Sequence, residues 1–152
     1  MPMDTTDADQ AAATELSRLL GPLRRAVLRA TRNAADLPDL PEAQIELLRV
    51  LVDAPLPARE AAARLRIAPS TVSNLVKAMS AAGLVERRSR PGDARTVLLA
   101  ATSTANDLLD RYDHASAGAL ARGIGNLPPG ERSAIRAALP ALSHLAGELK
   151  DH

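Results

Sequence analysis

Residues 83–102 constrain the chain more than any other stretch. Leu84-Val85-Glu86-Arg87-Arg88 is a short extended run, and Arg95-Thr96-Val97-Leu98-Leu99-Ala100 is a second one with β-branched Thr and Val. Between them Ser89 to Ala94 contains Pro91-Gly92, a turn signal. Two short runs around a polar Pro-Gly loop predict a β-hairpin. The rest of the chain does not offer a sheet to extend it. The hydrophobic residues include 31 Ala and 24 Leu, with no Phe, Trp or Cys. Ala and Leu favour helices, and the shortage of β-branched and aromatic residues disfavours a β-sandwich or a large parallel sheet. The expected fold class is therefore mainly α with a small β-hairpin wing. A chain of 152 residues can hold one compact domain, or one small domain plus an arm for self-association.

The helices follow from periodicity. Residues 1–9 are polar and acidic and predict a mobile tail. From Ala11 to Arg32 apolar residues recur at Leu16, Leu19, Leu20, Leu23, Val27 and Leu28, one face of a helix, with a kink or break expected at Gly21-Pro22. Asp36 to Pro41 is a connector. A helix follows with Ile45, Leu48 and Leu51 or Val52 facing inward, ended by Asp53-Ala-Pro-Leu-Pro57. A short Ala-rich helix runs from about Pro57 to Leu65, Arg66-Ile67-Ala68 makes a tight turn, and Pro69 suits the first position of a helix reaching Ala82. Gly83 suits its C-terminal cap. After the hairpin, Thr102 or Ser103 can cap a helix to about Ile124. Gly125 to Gly130 is a break. The last helix covers about Pro129 to Leu149, with Pro140 expected to bend it near Arg136.

Several function classes are disfavoured. Without Cys there is no disulfide framework, thiolate metal cluster or thiol sensor. His114, His144 and His152 are far apart and form no ligand-spaced pair, so no metal or other cofactor is expected. No run of about 18 apolar residues exists, which disfavours a membrane partner. The N-terminus, Met1 to Gln10, is acidic and lacks the apolar core of a signal peptide, so a cytoplasmic location is expected. An enzyme is not expected, because no nucleophile–base pair, metal motif or phosphate loop appears. Gly123 and Gly125 are too short a signal for a nucleotide loop. Tyr112-Asp113-His114 has acid–base character, and reads better as a helix face or the edge of a ligand pocket.

The net charge of +1 hides an asymmetry: residues 56–95 carry +5 and the remainder −4. A basic middle between acidic flanks suits a polyanion-binding surface, although a solvated face with local ion pairs has the same composition. The order helix, tight turn, helix, strand, basic loop, strand is that of a winged helix-turn-helix. On the second helix Val72, Leu75, Val76 and Met79 form the apolar set. Ser70, Ser73, Asn74 and Lys77 take the opposite face, with Thr71 on its margin. Such side chains can reach base edges and phosphates in a major groove. Ser70 and Thr71 can equally satisfy free N–H groups of the first turn. In the hairpin loop, Arg87, Arg88, Arg90 and Arg95 stand with one acid, Asp93. A narrow minor groove attracts an inserted guanidinium, and Asp93 is placed to hold that of Arg95 by a charge-assisted bond.

The run Gly83-Leu-Val-Glu-Arg-Arg-Ser-Arg-Pro-Gly-Asp-Ala-Arg95, followed by Leu98-Leu99-Ala-Ala-Thr102, resembles the MarR (multiple-antibiotic-resistance regulator) family, as does Pro69-Ser-Thr-Val-Ser-Asn-Leu-Val. The resemblance covers roughly residues 10–150. It implies a homodimeric transcriptional regulator, a repressor, on pseudo-palindromic double-stranded DNA. It places Ser70, Thr71, Ser73, Asn74 and Lys77 on the groove-facing side of the recognition helix. Arg95 becomes the minor-groove arginine and Asp93 its support, with Arg88 and Arg90 beside them. Small-molecule release of DNA is common in that family, which would add a small anionic or aromatic effector. Arg24, Arg25, Arg29, Arg49 and Arg111 are candidate anion contacts. Arg66 stands where a turn glycine is frequent, which predicts slight strain. Ala68 replaces a common capping Ser, and Asn74 a frequent Arg.

The resulting division is a tail over 1–9, a helical dimerisation domain from 10–35 and 102–150, and a winged helix-turn-helix domain over 36–101. The terminal helices carry more Leu than a small winged lobe can bury, so a second copy of the chain is the natural cover. Leu16, Leu19, Leu20 and Leu23, with Ile135, Leu139, Leu142, Leu145 and Leu149, are the expected interface. The competing function is a winged-helix module for protein–protein contacts, its basic wing meeting an acidic partner.

Overall fold

The expected hairpin is present, and helices surround it. The computed structural model describes residues 5–150. The elements in chain order are α1 (Thr5–Ala35), α2 (Glu42–Asp53), α3 (Ala58–Leu65), α4 (Pro69–Ala81), β1 (Val85–Arg90), β2 (Asp93–Ala101), α5 (Ser103–Gly125) and α6 (Pro129–Glu148). The fold class is the one expected, mainly α with a two-stranded antiparallel wing. No described helix is long and apolar enough to cross a membrane.

Two helical details differ from expectation. Helix α1 begins at Thr5, inside the stretch expected to be a tail; residues 1–4 lie outside the described residues. Asp7 in the first turn complements the helix dipole, and the alanines that follow propagate the helix readily. Nor does α1 break at Pro22. The residue before a proline is pushed out of the helical region partly by a clash with its own Cβ. Here that residue is Gly21, which has none. Helix α6 likewise remains one helix through Pro140.

The chain divides into two units, Met1–Ala30 with Ser116–His152, and Thr31–Ala115. Residues 31–35 and 102–115, assigned from sequence to the dimerisation helices, fall in the second unit. The chemistry explains it. Ala105, Leu108, Leu109 and Tyr112 of α5 are buried in the same core as α2 and α4. The Tyr112 hydroxyl donates to the carbonyl of Pro38, Arg32 pairs with Asp39 at 2.7 Å, and Arg49 pairs with Asp113 at 2.7 Å. In the first unit, no residue of α6 is buried.

In the second unit Leu47, Leu48, Val72, Met79 and Leu99 are almost wholly buried. On α2 the inward set is Ile45, Leu47, Leu48 and Leu51, whereas Val52 is 45% exposed, which settles the choice the sequence left open. One strand-like contact escaped the sequence reading. Leu56 forms an isolated antiparallel bridge with Leu99 of β2, with N–O distances of 3.0 and 2.7 Å. Pro55 and Pro57 flank it without N–H groups, so Leu56 supplies the donor of that triplet.

Both helix ends of the helix-turn-helix close in the same way. At the end of α4, the Gly83 N–H donates to the Ser80 carbonyl (3.1 Å) and the Leu84 N–H to that of Met79 (2.9 Å). This is a Schellman motif, with Gly83 at φ +72° and buried Leu84 beside buried Met79. At the end of α3, Arg66 does what Gly83 does, at φ +54°, a conformation that costs a non-glycine residue about 1 kcal/mol. The strain expected at Arg66 is thus present. A Cβ at Gly83 would meet nothing within 4 Å, so its cost is conformational alone. Gly83→Ala should lower stability by about 1 kcal/mol in urea unfolding. A midpoint equal to that of the parent would show that the α4–wing junction does not need the left-handed residue.

Candidate nucleic-acid interface

The apolar face of α4 anchors it. Val72, Val76 and Met79 are buried and Leu75 is half-buried. That fixes the opposite face outward: Ser70, Thr71, Ser73, Asn74 and Lys77 are all exposed. Pro69 opens the helix, and Ala68 at the N-cap supplies no side-chain bond to the first turn. Ser70 and Thr71 make no side-chain capping bond either, so the capping role left open for them is not used. Ser73 is partly engaged, since its hydroxyl donates to the Pro69 carbonyl at 3.1 Å. Its oxygen can still accept.

The wing is locked to α4 at its base. Thr102 donates from its hydroxyl to the Gly83 carbonyl (2.7 Å), and its Oγ1 accepts the N–H of Ala105 (3.2 Å). Thr102, not Ser103, is therefore the cap of α5, and one side chain joins the exit of α4 to the start of α5. The strands pair regularly from Val85↔Ala101 to Ser89↔Val97, and then Arg90 pairs with Asp93. One step on β1 thus corresponds to four on β2. Ala94, Arg95 and Thr96 form an excursion with no counterpart on the other strand. Arg90-Pro91-Gly92-Asp93 closes the hairpin, with Gly92 at φ +80° as a type II turn requires.

The role expected of Asp93 needs correction. Its carboxylate does not hold the Arg95 guanidinium. Oδ1 accepts the Arg95 backbone N–H at 3.0 Å, and Oδ2 accepts the Thr96 hydroxyl at 2.6 Å. An Asp side chain bonding the backbone two residues on is a local turn-forming habit of this residue type, and it wins here over the longer reach of an ion pair. These bonds, the Thr96 hydroxyl first and the Arg95 N–H next, lower the Asp93 carboxyl below its ordinary value of 3.8. The charged form is favoured by folding, so its contribution is complete at neutral pH. It is lost only as pH falls through that lowered value. Among the described residues the Arg95 guanidinium has no hydrogen-bond or ion-pair partner.

The other arginines differ in availability. Arg88 is taken by its neighbour on the same strand, its Nε donating to Glu86 Oε1 at 2.6 Å and its Nη2 pairing with the same oxygen. Arg90 is exposed, close enough to Asp93 to favour its carboxylate. Among the anion contacts suggested by sequence, Arg49 is bound to Asp113, which raises its already high pKa. Arg111 lines an open cleft of about 430 Å³ whose walls include Leu40, Leu84 and Leu108. Of Tyr112, Asp113 and His114, the cluster with acid–base character, Tyr112 donates to the Pro38 carbonyl and Asp113 pairs with Arg49. No group of His, Cys, Asp or Glu among the described residues is arranged to hold a metal ion.

The structure thus brings the α4 residues and the wing residues Arg88, Arg90, Asp93 and Arg95 together in one unit. The leucines assigned to the interface belong to the other. There Leu19, Leu20, Leu23, Leu139, Leu142, Leu145 and Leu149 are 41–66% exposed, while Leu16 and Ile135 are half-buried.

A helix-turn-helix whose second helix is followed by a basic two-stranded hairpin is a winged helix-turn-helix. Residues 39–96 match the model of the MarR family. Solved structures share the fold over nearly the whole chain. The RV1404 protein of Mycobacterium tuberculosis is 23% identical, with a TM-score of 0.74, and covers 95% of this chain and 96% of its own. A MarR family protein from Bacillus stearothermophilus is 19% identical, with a TM-score of 0.70 and coverages of 91% and 97%. A mutant MepR of S. aureus, solved bound to an oligodeoxyribonucleotide, is 20% identical, with a TM-score of 0.63 and coverages of 86% and 97%. No curated protein matches the chain.

Proposed function

We propose that the chain is a homodimeric, sequence-specific DNA-binding transcriptional regulator, a repressor acting in the cytoplasm on a pseudo-palindromic operator. The observation that carries this reading is the pairing, in one unit, of a small polar helix face with a wing whose Arg95 guanidinium is exposed and unpaired. Ser70, Thr71, Ser73, Asn74 and Lys77 would enter the major groove, and Arg95 the minor groove beside it. Arg88 and Arg90 would meet phosphates. The MepR neighbour with its bound oligodeoxyribonucleotide supports the choice of DNA. Helices α1 and α6 supply the dimer contacts in this reading, and the winged unit Thr31–Ala115 is the reader. Two-fold symmetry would set the recognition helices about one DNA turn apart.

The cleft beside Arg111 supports a ligand-responsive form of the regulator. Its leucine walls suit an apolar or aromatic body, and Arg111 and Asp107, both in its lining, offer polar contacts of opposite charge.

Titration of labelled duplexes tests the main reading. A duplex from the DNA flanking the protein's own gene should bind at least about a thousandfold more tightly than random duplex at equal salt. Footprinting should then show two half-sites. Equal, weak binding to every duplex would favour the protein-contact module instead.

A further inference from the structure

The excursion Ala94–Thr96 has a shape, and the shape has a cause. Three residues of β2 leave the strand ladder where β1 provides no partners. Such a segment would normally be mobile, and ordering it on binding would cost about 1–2 kcal/mol of backbone entropy per residue. Here it is already tied across its width. Both oxygens of Asp93 are engaged, one by the N–H of Arg95 and the other by the hydroxyl of Thr96. Asp93 itself is anchored to Arg90 across the turn. The Thr96 side chain is partly buried, unlike those of Ala94 and Arg95, which face solvent. The clasp thus uses the backbone of the arginine and the side chain of its neighbour, and leaves the guanidinium unoccupied.

We propose that Thr96 is a positioning residue of the wing: with Asp93 it pre-shapes the excursion, so that Arg95 is presented to the minor groove in one backbone pose. The inference rests on the DNA-binding reading above. Thr96 touches no nucleic acid in this scheme. It acts by removing ordering that binding would otherwise require, which is the usual route by which a preformed loop gains affinity.

The test uses the full-length protein and its footprinted operator. Thr96→Val keeps the side-chain shape and deletes the donor, and should weaken operator binding about three- to tenfold. Thr96→Ser restores the donor and should bind within about twofold of the parent. No charge is removed, so the salt dependence of binding should be unchanged in both variants, unlike the effect of losing an arginine. Amide exchange on the unaltered protein adds a readout that survives any folding defect. The Arg95 N–H should be protected, whereas its exchange at an open-loop rate would overturn the proposal. Parent-like affinity of Thr96→Val, alongside a clear loss on Arg95→Ala, would also overturn it and leave DNA binding intact. Parent-like affinity of both Thr96→Val and Arg95→Ala would remove the wing from DNA binding altogether.

Discussion

Leu142→Asp and Leu145→Asp should each abolish the dimer at micromolar concentration and with it tight operator binding. Both residues are over 40% exposed in the single chain, Leu142 at 44% and Leu145 at 41%. An Asp there therefore disturbs no core of its own chain. Within a two-fold interface each substitution appears twice, once from each copy. A carboxylate left without a partner in an apolar contact costs several kcal/mol, and every 1.4 kcal/mol is tenfold in the dissociation constant. Dimer dissociation should strengthen by at least about a thousandfold. The helical circular dichroism of the second unit should persist, because the core around Leu47, Leu48, Val72 and Met79 lies entirely in Thr31–Ala115. Sedimentation that still shows a dimer would refute the interface. Loss of DNA affinity without loss of the dimer would show that α6 acts in some other way.

Much of the winged unit was legible in advance, for a physical reason. Its helices are short, strongly periodic and punctuated. Pro69 and Gly83 bound α4 by removing a donor at one end and permitting a positive φ at the other. Positions 72, 76 and 79 could be read as core because three- and four-residue spacing admits one apolar face. The outward residues followed by subtraction. What could not be read were contacts that depend on which atom of a residue is used. Asp93 two places before Arg95 is compatible with a carboxylate on the guanidinium or on the backbone N–H, and residue spacing alone does not separate the two. Thr96 carried no signal beyond its β-branched side chain. Leu56 looked like the end of a helix because prolines surround it, yet a single residue bridges to Leu99. In the first unit neither Pro22, after Gly21, nor Pro140, after Leu139, ends its helix.

Replacing Arg95 by Ala is the sharpest check on the wing, because the proposed DNA-binding reading expects an effect on binding while the exposed, unpaired side chain gives none on folding. Its guanidinium is exposed and unpaired, so the substitution breaks no ion pair and empties no cavity. Thermal stability should stay within about 0.5 kcal/mol of the parent. The backbone N–H that Asp93 holds remains, so the excursion keeps its shape. Operator affinity should nevertheless fall by roughly tenfold per wing, and the salt slope by about one unit for each arginine lost. Arg88→Ala provides the contrast. That guanidinium already has Glu86 as its partner, and a phosphate must displace the carboxylate to gain it. Its removal loses the phosphate contact and also leaves Glu86 unpaired near the DNA, so part of the drop in affinity is repulsion. Adding Glu86→Gln to Arg88→Ala should recover part of the loss, whereas adding it to Arg95→Ala should not restore the missing groove contact. If Arg95→Ala keeps both the affinity and the slope of the parent, the wing is not part of the reader, and the polar face of α4 must hold the duplex by itself.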